Sequence, residues 1–198
     1  IMGEQAVKHI FSKTYDSHQS WMYLDNIPQD YQTLMVIVQG CTTTQSGGGD
    51  NAYYATYNVS SYTSGNIDSS TKGTIAFNKG WGKISGNSGE IITNTYNTTQ
   101  NDTGSIGNSA YFTASDQTYN TCVFYFHNYS DPNANTVITT HNGSIYFGSS
   151  YSGVSTQPMM SMVGAGQAAA EAVTNIAIGP NGQIQPGVRL SLYGMVNS

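Results

Sequence analysis

The side chains that could do chemistry in this sequence are four histidines, two cysteines and eleven acidic residues. His127 follows Cys122 by five positions within one predicted strand, so the two side chains point to opposite faces and make a poor nucleophile–base pair. The acidic residues are scattered singly, and the sequence contains no HExxH motif, no GxSxG elbow and no carboxylate pair at helical spacing. We therefore expect structural or surface histidines, no bound cofactor and no enzymatic activity.

Two groups of side-chain oxygens come closest to a metal or catalytic site. Residues 131–135 (DPNAN) space their oxygens like the opening of a calcium loop. Position six is Thr136 instead of glycine and position twelve is Asn142 instead of glutamate, so an Asx/Pro turn is the better interpretation. Asp116 and Asp131 flank one strand-like run, and a glycan-degrading enzyme needs two carboxylates about 5 to 10 Å apart. That enzyme is the third alternative for function.

The two cysteines, Cys41 and Cys122, each lie in an apolar strand-like run. A free cysteine in such a run is usually buried and reduced, so we expect neither a disulfide nor a reactive thiol. Three consecutive glycines, 47–49, are followed by no helix pattern and no Lys-Ser/Thr pair. A flexible hairpin tip is predicted there, and not a phosphate-binding loop.

The composition limits the class of protein and of partner. A chain of 198 residues fits one domain, residues 1–198, whose core needs no metal or disulfide. Only 9% of the residues are charged, and 15 are tyrosine. Six basic residues without a cluster, against eleven acidic ones, exclude nucleic acid as the main partner. No apolar run approaches the length of a membrane span, and the first residues lack the apolar core of a signal peptide, so neither is expected.

Nearly every segment of the sequence has the pattern of a short strand followed by a turn cluster. Segments such as TLMVIVQG, TCVFYFHNY and GSIYFGS are separated by tracts rich in Gly, Asn, Ser and Thr. This pattern predicts an all-β fold, a single antiparallel β-sandwich of jelly-roll type. The helix candidate is GAGQAAAEA, residues 164–172, in which alanines favour a helix and two glycines oppose it.

The C-terminal segment predicts two buried strands. Asn181-Gly182 and Pro186-Gly187 are its turn signals. Apolar residues recur at about every second position, as expected for strands that bury one face: Val173, Ile176, Ile178, Val188, Leu190 and Leu192. We expect these two strands to lie inside the core.

Tyrosines in or near polar loops are the candidates for a binding surface, because tyrosine combines a large contact area with a polar tip. They suit a protein interface or a sugar-binding surface, and the alternative is that they lie half-buried along the edges of the sandwich. The candidates are Tyr53, Tyr54, Tyr57, Tyr62, Tyr146 and Tyr151.

Three short segments occur in an order that resembles a known family. IPQDYQTL contains Ile27, Pro28, Tyr31 and Leu34, FHNY contains Asn128 and Tyr129, and LYGM contains Leu192, Tyr193 and Gly194. This order resembles a widespread family of small structural proteins of tailed-phage (cyanophage-like) virions, which pair an IPxxY segment with a central NY strand and a terminal LYGI-like strand. The resemblance extends from about residue 7 to residue 195. Family members usually carry an Arg-rich strand after the IPxxY segment, whereas GCTTTQSGGG follows here.

The resemblance implies a non-catalytic β-sandwich that is displayed on the outside of a virion. The implied function is that of a capsid decoration (cement) protein, which binds the major capsid protein or other virion proteins and stabilises the head lattice. A homo-oligomer is the expected assembly, with a trimer favoured. The alternative is a receptor-binding module of a tail or fibre that recognises a host surface glycan. The loops between Gly40 and Asn66 are the expected contact region.

Overall fold

The computed structural model describes residues 7–40, 42–43, 53–59, 62–63, 66–67, 75–85, 90–100, 118–146, 155–157, 161–165, 170–180 and 183–196. All regular secondary structure in these ranges is β-strand. All strand pairs in the same ranges are antiparallel. The prediction of an all-β, antiparallel fold is therefore confirmed for the described part of the chain.

The described ranges contain sixteen strands. They are β1 (Val7–Thr14), β2 (Met22–Leu24), β3 (Thr33–Gly40), β4 (Thr42–Thr43), β5 (Tyr53–Tyr57), β6 (Tyr62–Thr63), β7 (Asn66–Ile67), β8 (Ile75–Ser85), β9 (Glu90–Gln100), β10 (Thr118–His127), β11 (Val137–Tyr146), β12 (Ser155–Gln157), β13 (Ser161–Ala165), β14 (Ile176–Pro180), β15 (Gln183–Ile184) and β16 (Arg189–Met195).

One large sheet contains nine of these strands. Its order is β1-β16-β3-β10-β11-β13-β8-β9, and β12 also pairs with β11. A small sheet has the order β2-β14-β5, and two further pairs are β15-β4 and β6-β7. Strand β16 is an interior strand of the large sheet, because it is hydrogen-bonded to β1 on one side and to β3 on the other.

Strand β3 shows how the sequence pattern creates the core. Leu34, Val36 and Val38 are fully buried, whereas Met35 and Ile37 between them are partly exposed. Successive side chains of a strand point to opposite faces, so this alternation gives the large sheet a buried inner face and a partly exposed outer face. The inner face shares one hydrophobic cluster with the small sheet. The cluster includes Leu34, Val36, Val38, Cys122, Phe124, Phe126, Ile138, Leu190 and Leu192 from the large sheet, and Met22, Leu24, Ala55, Tyr57, Ile176 and Ile178 from the small sheet.

The predicted core positions of the C-terminal segment are confirmed. At most 2% of the surface of each of the six is exposed: Val173, Ile176, Ile178, Val188, Leu190 and Leu192. The predicted Pro-Gly turn is also confirmed, since the N–H of Val188 donates to the carbonyl of Gln185 at 3.3 Å. Gly187 has a φ of 94°, which glycine adopts without strain and which a type II turn requires at this position. Asn181-Gly182 lies outside the described residues.

The structure describes only part of the helix candidate at 164–172, and that part is not helical. Gly164 lies in β13, where it pairs with Ile138 of β11 and Phe77 of β8, and Ala165 ends the same strand. Residues 170–172 have no regular secondary structure, and residues 166–169 lie outside the described ranges. Glycine is a poor helix former, so pairing with two neighbouring strands overrides the propensity of the alanines.

Candidate functional site

The three segments that carry the family resemblance meet at one point, which we call the tyrosine junction (Pro28, Tyr31, Tyr129 and Gly194). The ring of Tyr129 is fully buried, and its hydroxyl donates to the carbonyl of Pro28 and accepts the backbone N–H of Tyr31 at 3.3 Å. Asn128 precedes it with a φ of 55° in the turn after β10. Asparagine tolerates this left-handed conformation. The turn therefore aims Tyr129 at a segment that lies about a hundred positions earlier in the chain.

Gly194 of β16 completes the tyrosine junction. A Cβ atom at this position would lie 2.6 Å from Cδ2 of Tyr31 and nearer still to two other atoms of the same ring. The N–H of Gln32 donates to the carbonyl of Met195 at 3.1 Å and holds Tyr31 beside this strand. Close approach of an aromatic ring is thus the reason for glycine at position 194.

A second set of hydrogen bonds connects the tyrosine junction to the segment before β14. The N–H of Val173 donates to the carbonyl of Tyr129 at 2.7 Å, and the N–H of Ile27 donates to the carbonyl of Thr174 at 3.1 Å. The side-chain amide of Gln29 donates to the carbonyls of Ile27 and Val173 at 2.8 and 2.9 Å. These bonds satisfy the backbone groups of an irregular loop that covers the core.

The electrostatics of the tyrosine junction suit a structural role. Burial raises the pKa of Tyr129 to about 12, although the hydrogen bond from the N–H of Tyr31 acts in the opposite direction. The hydroxyl therefore keeps its proton near neutral pH and remains a donor to Pro28. This arrangement holds three distant segments together.

Asn58 is a structural residue that the sequence analysis missed. It follows β5 with a φ of 49°, and its side chain donates to the carbonyl of Ala172 at 2.9 Å and accepts the N–H of Thr174 at 2.7 Å. Asn175 makes a reciprocal contact: its side-chain oxygen accepts the N–H of Val59 at 2.8 Å. An asparagine directly after a strand indicates a turn. The sequence does not indicate the hydrogen-bond partners, because they lie 114 to 116 positions away.

The candidate tyrosines whose backbone the structure describes lie in strands of three different sheets. Tyr57, a candidate for the binding surface, belongs instead to the core, because only 7% of its surface is exposed. Burial, together with the Glu171 carboxylate, raises its pKa. Tyr53 and Tyr54 pair with Pro180 and Gly179 in the small sheet.

The remaining candidates belong to other elements. Tyr62 pairs with Ile67 in β6-β7, and Tyr146 lies at the end of β11 in the large sheet. Tyr151 lies outside the described residues. The expected contact region between Gly40 and Asn66 contains strands β4, β5, β6 and the start of β7, so its described residues are largely strand.

The structure describes Cys122 and His127, the two residues that were considered as a nucleophile–base pair. Cys122 is buried as predicted, and burial raises the pKa of its thiol, whereas Cys41 lies outside the described ranges. His127 lies on the opposite, partly exposed face, as predicted, and its ring nitrogens contact Thr33 Oγ1 at 3.3 Å and Thr139 Oγ1 at 3.1 Å. Burial lowers the pKa of His127, which favours the neutral ring.

The predicted Asx turn is confirmed, whereas the Asp116–Asp131 pair stays a prediction. Oδ1 of Asp131 accepts the N–H of Asn133 at 2.8 Å. Asp116 lies outside the described ranges. Among the residues that the structure does describe, no three His, Cys, Asp or Glu side chains are grouped so that they could hold a metal ion.

A Ser–His contact that the sequence pattern did not predict lies on β1. The register between β1 and β16 shifts between His9 and Phe11, so His9 and Ser12 share a face although they are three positions apart. Nε2 of His9 lies 2.8 Å from Oγ of Ser12, and that hydroxyl donates to Oγ of Ser191 at 2.8 Å. These contacts connect β1 to its neighbour β16 in the large sheet.

The outer face of the large sheet is a candidate contact surface in the described ranges. We define it by ten central side chains that the register places on this face of four adjacent strands, nine of them partly exposed and one, Ser191, buried: Ser191 and Tyr193 of β16, Thr33, Met35 and Ile37 of β3, Val123, Tyr125 and His127 of β10, and Val137 and Thr139 of β11. None of these ten residues is Asp, Glu, Lys or Arg. An uncharged face rich in aromatic and aliphatic side chains has the composition of an interface core.

Comparison of the chain with family models, with curated proteins and with solved structures found no match. In the described ranges, no helix has the length and apolar character to cross a membrane.

Proposed function

We propose that this chain is a non-enzymatic structural protein of a tailed-phage virion. In this proposal it is a β-sandwich of jelly-roll type that decorates the capsid exterior as a cement protein. It binds the major capsid protein or neighbouring virion proteins and stabilises the head lattice. Its own copies assemble into a homo-oligomer.

The observation that carries the proposal is the tyrosine junction. The IPxxY, NY and LYG segments carry the resemblance to virion proteins, and each of them contributes a residue to this junction. Tyr129 hydrogen-bonds to Pro28 and Tyr31, and the ring of Tyr31 covers Gly194. A set of motifs that packs together is better explained by one inherited structural unit than by three chance matches, which supports membership in a family that shares this unit.

The sandwich part of the proposal is supported by the shared core. Inner-face side chains of the large sheet and buried side chains of the small sheet belong to one hydrophobic cluster. Two antiparallel sheets that bury their faces against each other are the defining arrangement of a sandwich.

The surface of the chain suits a protein that acts by packing. With 9% charged residues, the chain has little capacity for long-range electrostatic attraction. The uncharged outer face is suited to close contact with another protein surface. Stable contacts of this kind bury more than about 1,000 Å² in total.

The copy number per virion tests the proposal. Peptides of the chain and of the major capsid protein are quantified in purified virions by mass spectrometry with isotope-labelled standards, and the portal protein serves as a low-copy reference. A decoration protein is expected at several hundred copies. A handful of copies would favour the receptor-binding alternative on the tail, and absence from the virion would refute both forms of the proposal.

A binding experiment separates the two locations further. Purified chain is mixed with capsids that lack it, and the sedimented fraction is measured. Saturable binding to the head supports the cement function. Binding to a host surface glycan without binding to capsids would move the assignment to the receptor-binding module.

A further inference from the structure

The central strands of the large sheet are apolar on both faces. In β3, the inner residues Leu34, Val36 and Val38 alternate with Met35 and Ile37 on the outer face. The alternation in β10 is of the same kind, with buried Phe124 and Phe126 next to partly exposed Val123 and Tyr125. A sheet with one face in water shows apolar and polar residues in alternation, whereas near-continuous apolar strands are typical of sheets covered on both sides.

Register brings the outer-face side chains into rows across the sheet. Tyr193, Met35, Tyr125 and Thr139 are consecutive partners in one row. Ser191, Ile37 and Val123 form the next.

Aromatic rings extend these rows. The ring of Tyr193 makes an edge contact with His9, with ring centroids 5.2 Å apart. The rings of Tyr125 and His127 are stacked along β10 at 6.1 Å. Side chains arranged in rows on a pleated surface can interdigitate with those of a second sheet.

We infer that the outer face is a two-fold interface between two copies of this chain, packed sheet against sheet. This interface would serve the assembly of the proposed virion protein, but the observations that support it come from the outer face alone. A two-fold axis places each patch against its own copy, so any charge on the patch would oppose a like charge. The ten residues that define the outer face carry no charge that would create this repulsion. Arg189 lies on the same side of the sheet, in the next row with Gln39 and Thr121, and it is exposed at the end of β16, where a rim residue of the interface would lie.

The size of the outer face is sufficient for such a contact. His9 and Ser12 of β1 pair with Tyr193 and Ser191, so the outer face extends over five adjacent strands, β1, β16, β3, β10 and β11. Five strands give a width of about 24 Å at ~4.8 Å per strand, and seven residues, with Arg189 at one end, give a length of about 23 Å. The product is roughly 550 Å² per copy, or about 1,100 Å² for two copies, which is close to the lower end of specific interfaces. We therefore expect a dimer that dissociates on dilution, in place of the trimer that the family resemblance favours.

Self-association is measured by sedimentation equilibrium and by light scattering on the full chain over a range of concentrations. Ile37→Lys places a cation near the middle of the outer face, and in a dimer two such cations would oppose each other. We expect the dimer dissociation constant to rise at least about 100-fold. The matched control is Phe11→Lys. Phe11 is 39% exposed and pairs with Leu192, on the other side of the sheet, so the control should leave the dissociation constant within about 3-fold of wild type.

A covalent readout covers the case in which Ile37→Lys fails to fold. Ile37→Cys is made in a Cys41→Ser background and oxidised gently. A facing copy should give an intermolecular disulfide, whereas Phe11→Cys in the same background should not. A chain that is monomeric at all concentrations, or that forms only odd-numbered oligomers, would overturn the inference. An unreactive thiol at position 37 in a monomeric chain would also overturn the inference, because the outer face would then be covered by other segments of the same chain. The number of copies per virion, which tests the proposed function, does not depend on any of these outcomes, so the two proposals can fail separately.

Discussion

Replacing Gly194 by alanine tests whether the tyrosine junction is a closely packed structural unit. The new Cβ would lie 2.6 Å from Cδ2 of Tyr31 and closer to two further ring atoms. Tyr31 has little freedom to move, because its N–H is hydrogen-bonded to Tyr129 and its carbonyl accepts the hydroxyl of Ser130 at 3.3 Å. Overpacking of this kind costs about 2 kcal/mol, which corresponds to a fall in Tm of roughly 4–8 °C for a domain of this length.

The sign of the effect should depend on Tyr31. Tyr31→Ala alone removes a buried ring and costs about 3–5 kcal/mol. In that background the Cβ of Gly194→Ala has room, and the lower entropy of the unfolded chain makes the change neutral or stabilising by up to about 1 kcal/mol. The double-mutant cycle should therefore give a coupling free energy of about 2–3 kcal/mol. Urea unfolding followed by circular dichroism measures all four proteins.

Gly187→Ala is the matched control for this cycle. Nothing lies within 4 Å of a Cβ at this position, but the φ of 94° is unfavourable for alanine. Its cost of about 1–2 kcal/mol comes from the backbone and should be the same with and without Tyr31→Ala. If Gly194→Ala costs less than about 0.5 kcal/mol, or costs the same in both backgrounds, the steric explanation is wrong.

Three further predictions concern single elements. Acidification from pH 7.5 to 5.0 should lower the Tm of the wild-type chain more than that of His127→Gln. Burial lowers the pKa of His127 below its ordinary 6.5, so the stability contributed by the neutral ring is lost as the pH falls. Parallel curves of Tm against pH for the two proteins would contradict this. Thr136→Val should raise the free energy of unfolding by about 1 kcal/mol in urea titrations, because Oγ1 of this buried residue has no hydrogen-bond partner among the described residues. A loss of stability would show that the hydroxyl is satisfied. Deletion of residues 188–198 should abolish cooperative thermal unfolding, because it removes β16 from between β1 and β3, whereas deletion of 197–198 should leave the transition unchanged.

Short-range patterns predicted much of the fold. The two-residue period identified Val188, Leu190 and Leu192 as core residues, and all three are buried. Pro186-Gly187 identified a turn, since these residues have intrinsic backbone preferences that need no tertiary context. Such predictions succeed because the deciding interactions lie within a few residues of each other.

Long-range contacts explain what the sequence could not reveal. Gly164 has the local surroundings of a weak helix, but pairing with Ile138 and Phe77 decides its conformation. Tyr57 was indistinguishable from a surface tyrosine, because its burial depends on packing across the core. The contact between His9 and Ser12 depends on a register shift in β1, and a pattern based on strict alternation cannot anticipate such a shift.

The adjacent residues Tyr193 and Gly194 allow the stability and the assembly of this protein to be tested separately. They point to opposite faces of β16: Gly194 meets the ring of Tyr31 on the covered side, whereas Tyr193 lies on the outer face beside His9 and Met35. Gly194→Ala should therefore lower the free energy of unfolding of the isolated chain. Tyr193→Ser should instead weaken self-association, with a smaller effect on the unfolding of a dilute monomer, because Tyr193 is partly exposed there. If both changes altered stability and association in proportion, the outer face would be part of the folding unit and not an interface between copies.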